Sequence, residues 1–182
     1  MTPKELVEHA RDFFVNRFDA FVAIQRQAFE NGVAERLVKG PAYGRLIRQD
    51  FATGDKSFVV FVPDEDWSMD PAYIPLESAI CMVDRLDWQE IVILHDLDVV
   101  TPEFIEEWFT VWFDPHELRH EIREPGVVHL LSLQEGRIDI DMGTAPAEAF
   151  WQMIWLLEKA GAKNIYVNNS KGCARFLAGK DD

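Results

Sequence analysis

The stretch 126–169 constrains the fold more than any other part of the chain. It reads as an apolar strand, a tight turn at Glu135-Gly136, a second strand, a long helix from about Thr144, and a third strand over 164–167. The helix carries Phe150, Trp151, Met153, Ile154, Trp155, Leu156 and Leu157, interrupted only by Gln152. A helix with one apolar stripe can rest on a core with its other face in water, whereas one that is apolar almost all round needs cover on two sides. Either the chain's own amino-terminal helix or a second molecule must lie over its back.

The amino terminus offers such a cover. Thr2 can cap, Pro3 suits a first helical position, and Glu5 completes a capping box. Leu6, Ala10, Phe13, Phe14, Phe18, Phe21, Ile24 and Ala28 then recur at helical spacing, which predicts one amphipathic helix over 1–31. At ~1.5 Å per residue it is about 40 Å long, enough to cross a domain. Its phenylalanine stripe matches the apolar back of the later helix. The competing arrangement is a homodimer in which that back meets itself across a two-fold axis.

Between these helices, 43–51 and 57–62 read as the strands of a β-hairpin (43–62) joined through Gly54 and Asp55. Residues 63–75 read as an acidic loop. Residues 76–86 read as a short helix, with 78–83 also compatible with a buried strand. The apolar and β-branched run at 89–95 predicts an interior strand. Thr101-Pro102-Glu103 opens a helix with a broad apolar face from Phe104, Ile105, Trp108, Phe109, Val111 and Trp112, ending before Asp114-Pro115. A second short helix follows through Arg123, stopped by Pro125-Gly126.

From 89 to 169 the main order is strand, helix, strand, strand, helix, strand, the split βαβ order of a ferredoxin-like fold. Right-handed crossovers place the 89–95 and 136–142 strands side by side in the centre. The expected fold is therefore α+β: a ferredoxin-like βαββαβ unit at about 89–169, with an added N-terminal long helix and β-hairpin, in a single domain over 1–182. A larger mixed sheet that takes in the early hairpin is the alternative. With 182 residues and 48% apolar content, the chain can bury a core without disulfides or metals.

Charge narrows the partners. Lys and Arg number 18 against 32 Asp and Glu, a net −14. Nucleic-acid affinity comes largely from basic residues displacing counterions from phosphate, so nucleic acid and anionic membranes are excluded as partners. No run approaches the roughly 20 apolar residues that span a bilayer, and the first residues lack a basic region followed by an apolar one. Cys81 and Cys173 form neither a disulfide framework nor a zinc spacing, which points to a reducing, cytoplasmic setting. An acidic surface of this size steers a basic partner toward it.

Three groups could carry chemistry. His116-Glu117-Leu118-Arg119-His120 matches His-Glu-x-x-His, in which His116 and His120 ligate zinc from one helix face and Glu117 activates the bound water. The surroundings are those of a solvated helix, with Arg119, Glu121, Arg123 and Glu124 close by, and neither Glu135 nor Glu148 is selected as a third ligand by its spacing. His95, Asp96 and Asp98 lie at the end of the 89–95 strand and could hold a metal, or act as a loop whose carboxylates accept backbone hydrogen bonds. Arg137, Asp139 and Asp141 alternate with Ile138, Ile140 and Met142, which makes one face of that strand charged. That open face is a candidate ligand or partner surface, with His129 and His95 as neighbours. No nucleophile elbow and no Gly-rich phosphate loop occurs.

The first functional expectation is a non-enzymatic acidic binding protein of inhibitor, immunity or regulatory type. It has no catalytic residue and no cofactor, and it engages a protein partner of basic character. The alternative is a zinc-dependent hydrolase built on His116, Glu117 and His120.

Overall fold

The structure, a computed structural model, describes residues 1–28, 38–42, 45–48, 51–52, 58–59, 61–62, 68–114 and 126–172. Helix α1 (Pro3–Ala28) begins with a reciprocal cap. The Thr2 amide donates to the Glu5 carboxylate at 2.7 Å, and the Glu5 amide donates to the Thr2 hydroxyl at 3.3 Å. Four short strands follow: β1 (Val38–Ala42), β2 (Arg45–Arg48), β3 (Phe51–Ala52) and β4 (Phe58–Val59). Then come β5 (Ala72–Pro75), β6 (Ile80–Val83), β7 (Ile91–His95), a 3₁₀ turn at Pro102–Ile105 and helix α2 (Glu106–Trp112). The described chain ends with β8 (Leu130–Gln134), β9 (Arg137–Asp141), α3 (Ala147–Lys159) and β10 (Asn164–Asn169).

The fold is mixed α+β. Among the described residues eight strands form one sheet in the order β1-β2-β8-β9-β7-β10-β6-β5, while β3 and β4 pair separately. Every neighbouring pair in the large sheet is antiparallel except β10 with β6. The early strands thus join the later ones through β2 and β8.

Side-chain alternation makes the sheet two-sided. Ile91 and Ile93 of β7, Ile138 and Ile140 of β9, and Ile165 and Val167 of β10 belong to one buried cluster with residues of α1, α2 and α3. Phe150, Met153, Ile154 and Leu157 of α3 supply its centre. Helix α2 is fastened to α3 by indole N–H groups: Trp108 donates to the Ala149 carbonyl and Trp112 to the Gln152 side chain, each at 2.8 Å. The chain leaves α2 through buried Asp114 at φ +51, a backbone position uncommon for a residue other than glycine.

Helix α1 covers part of the same layer. Arg11 donates to the Ala145 carbonyl just before α3 at 3.1 Å, and Phe14 and Phe18 are buried against Phe61, with ring centroids 5.5 and 5.8 Å away. The cover is incomplete over the outer side of α3, where Trp151 and Trp155 stack and Trp155 stays 44% exposed.

Three expectations are corrected. Residues 72–75 form β5 rather than part of a loop, and within 76–86 residues 80–83 take the strand alternative as β6 rather than the helix, because β10 pairs along one side of β6 and β5 along the other. Of the expected 43–51 strand, the described residues 45–48 form β2 and 51–52 form β3, which belong to different sheets, and β1 lies ahead of them.

Phe18 is buried between Phe61 and His129, so Phe18→Ala removes a packed ring and opens a cavity between them. We expect a loss of about 3–5 kcal/mol in urea unfolding, against little change for Ile24→Ala on the exposed side of α1. A loss below ~1 kcal/mol would make α1 an appendage rather than part of the core.

Candidate functional site

Period-two alternation sends Arg137, Asp139 and Asp141 to the face opposite the helices, as the sequence predicts. Their cross-strand neighbours follow from the register: Leu94 and Gln134 flank Arg137, while Val92 and Ser132 flank Asp139. The Arg137 guanidinium donates twice to one Asp139 oxygen, at 2.6 and 2.9 Å, and the Gln134 amide reaches the other oxygen at 3.0 Å. Both members of the ion pair are half-buried, and the shared hydrogen bonds hold them in one geometry. Asp141 accepts the Gly143 amide at 2.8 Å.

Beside these residues lies a groove of about 650 Å³ whose lining includes Arg137, Asp139, Asp141, Asp87, Glu90 and Lys171. This volume is within the range of ligand-binding clefts. Four of those side chains are carboxylates and two are cations, so the groove is acidic. Asp87 and Glu90 come from the turn before β7, and Lys171 follows β10. The antiparallel pairing of Ile91 with Asn169 brings these two chain ends together. Sequence reasoning missed all three: Asp87 and Lys171 lie outside the expected strands, where no periodicity reports a face, and Glu90 falls within the expected 89–95 strand but ahead of β7 as observed.

Lys171 is carried on a helical turn whose start is firmly anchored. The buried Asn168 amide donates to Asp84 at 3.0 Å and to the Tyr166 hydroxyl at 2.9 Å, while its oxygen accepts the Asn169 amide at 2.8 Å. The Asn169 side chain accepts the Gly172 amide at 2.8 Å in the manner of a helix cap. A side chain at 172 would collide with the Asn168 amide, so glycine is required there.

His129 is not a neighbour of this face, contrary to the expectation. It packs with Phe18 of α1 at 5.6 Å between ring centroids, on the helix side, and is fully buried. Gly143 takes φ +52, and a Cβ there would run into the His129 ring. Gly143→Ala is therefore expected to cost about 1–3 kcal/mol, read by thermal unfolding.

His95, Asp96 and Asp98 do not converge either. His95 points inward with the alternation of Ile91 and Ile93, whereas Asp96 and Asp98 are exposed. The Asp96 carboxylate accepts the Lys163 and Asn164 amides and the Asn164 side chain, which holds it below the usual carboxylate range. Among the described residues no group of three His, Cys, Asp or Glu side chains could hold a metal. His116, Glu117 and His120 lie outside the described residues. Burial pushes the Cys81 thiol up to about 12, which leaves it inert.

The His95 imidazole is buried, and among the described residues neither ring nitrogen has a well-formed hydrogen-bond partner. Burial lowers its affinity for a proton; the Asp96 charge and the nearby Leu97 backbone act the other way without prevailing. A folded-state pKa below the unfolded value of 6.5 means that the unfolded chain binds the proton first. Stability should be full above pH 6.5 and decline as pH falls toward the lowered pKa. The gap between His95→Leu and the parent in urea unfolding should shift in favour of the variant over that interval. Parallel curves would show that His95 does not titrate on unfolding.

Compared with known proteins, the chain matches no family model, no curated protein and no solved structure.

Proposed function

We propose that this chain is a non-enzymatic binding protein of inhibitor, immunity or regulatory type, and that it engages a basic protein partner through the open face of its sheet. In this reading β7, α2, β8, β9, α3 and β10 act as a ferredoxin-like unit that holds the face rigid. The supporting observation is the groove, in which four carboxylates outnumber two cations on a chain of net charge −14. Such a cleft raises the local concentration of cations and favours an entering Arg or Lys side chain. The groove stands on strands and an anchored turn rather than on long loops, which suits recognition of a fixed shape. Cysteine usage is in keeping with a cytoplasmic setting, and no described helix is long and apolar enough to cross a membrane.

The test is an amide-shift titration of the labelled chain with a blocked Gly-Arg-Gly tripeptide, using Gly-Glu-Gly as control. Shifts should gather at 87–92 and 137–141 and weaken in Glu90→Lys. Shifts scattered over the surface, or equal for the two peptides, would remove the groove as a cation site.

A further inference from the structure

The open face continues from the groove as an apolar row. Tyr73 of β5 lies opposite Met82 of β6, Met82 opposite Tyr166 of β10, Tyr166 opposite Leu94 of β7, and Leu94 opposite Arg137 of β9. Directly paired residues project to the same face, so these side chains form one line across five strands. Tyr73 is 68% exposed, and Ile80, two residues from Met82 on the same face, is 61% exposed. Met82, Leu94 and Tyr166 are half-buried.

A sheet with one face toward water ordinarily carries polar residues outward. Here β5, β6 and β7 carry Tyr73, Ile80, Met82 and Leu94 outward, with Val92 of the same face buried beside Asn168, while Ile74, Cys81, Val83 and Ile93 fill the core. The inward set already satisfies the packing against the helices, so the outward set has no role in that core.

Resting on the reading of the groove as a cation site, we infer that row and groove form one docking surface for an extended protein segment. The segment carries apolar side chains along the row and an Arg or Lys at the end that enters the groove. At ~4.8 Å per strand the row spans about 19 Å, and the step along β9 from Arg137 to Asp139 adds about 7 Å. Some eight extended residues at ~3.3 Å each cover that path. Charge selects the occupant. A second copy would bring another −14 to the face, and an anionic membrane would be repelled in the same way.

The experiment uses the full chain and blocked octapeptides with Arg at either end and three Leu at alternate positions, against the same peptides with Ser in place of Leu. Affinities are read by fluorescence anisotropy, and the contact site by amide shifts. The Leu peptide should bind about ten-fold more tightly than the Ser peptide, and this advantage should vanish in Tyr73→Ser/Ile80→Ser. Both replaced side chains are exposed, and an unchanged unfolding curve verifies the fold of the variant. Equal binding of Leu and Ser peptides, with both still shifting groove amides, would overturn the row while leaving the groove reading intact. An advantage that persists in the double variant would place the Leu contacts elsewhere and also overturn it. Failure of both peptides to shift groove amides would remove the groove reading and this inference with it. Self-association of the parent chain that the double variant abolishes would assign the row to a second copy instead.

Discussion

Everything in the described fold depends on one apolar layer between the sheet and its helices. Ile138 and Ile140 of β9 face that layer together with Ile91 and Ile93 of β7, so Arg137, Asp139 and Asp141 must face away. A slip of one residue in the β7–β9 register would turn three charged side chains toward Phe150 and Ile154 and send the isoleucines to water. The burial of the layer thereby determines the composition of the opposite face. The charged groove is a consequence of core packing as much as a feature in its own right.

The tryptophans settle how the helices are arranged over that layer. Trp108 and Trp112 join α2 to α3 with the apolar body of each ring and a hydrogen bond from its indole nitrogen, which is how a buried or half-buried tryptophan is best accommodated. Trp88 is fully buried near the start of β7. These three tryptophans therefore serve packing. Among the described tryptophans Trp155 is the exposed one, at 44% on the outer side of α3 and stacked on Trp151.

On the open face the two ends of the chain order contribute differently. The turn at Asp87 and Glu90 and the turn at Lys171 meet because β7 and β10 are antiparallel neighbours, and the Asn168 and Asn169 side chains hold the second turn against the sheet. Buried amides of this kind are costly unless every donor and acceptor is used, and here each bond is short and directed. The result is a groove whose charged rim is supported by the sheet itself. Binding to such a surface requires little ordering of the protein, which lowers the entropic cost of association.

Local chemistry alone was enough to predict several parts. The Thr2 and Glu5 cap, the Thr101 start of the 3₁₀ turn into α2, the Glu135-Gly136 turn and the alternation of β9 each follow from interactions within a few residues. The adjacency of β7 and β9 follows from crossover handedness and was likewise legible. What the sequence could not decide were the places where periodicity carries no phase. In Ile80-Cys81-Met82-Val83 all four residues are apolar, and only the flanking β10 and β5 make the segment a strand. In 127–133 apolar residues occur on both alternations, so the inward direction of His129 was hidden until Phe18 packed on it. Asp87, Glu90 and Lys171 lie in turns, and only strand pairing between segments some 80 residues apart brings them to one groove. Short-range hydrogen bonding and side-chain period are properties of the chain read along its length, whereas these outcomes depend on which segments the buried layer brings together.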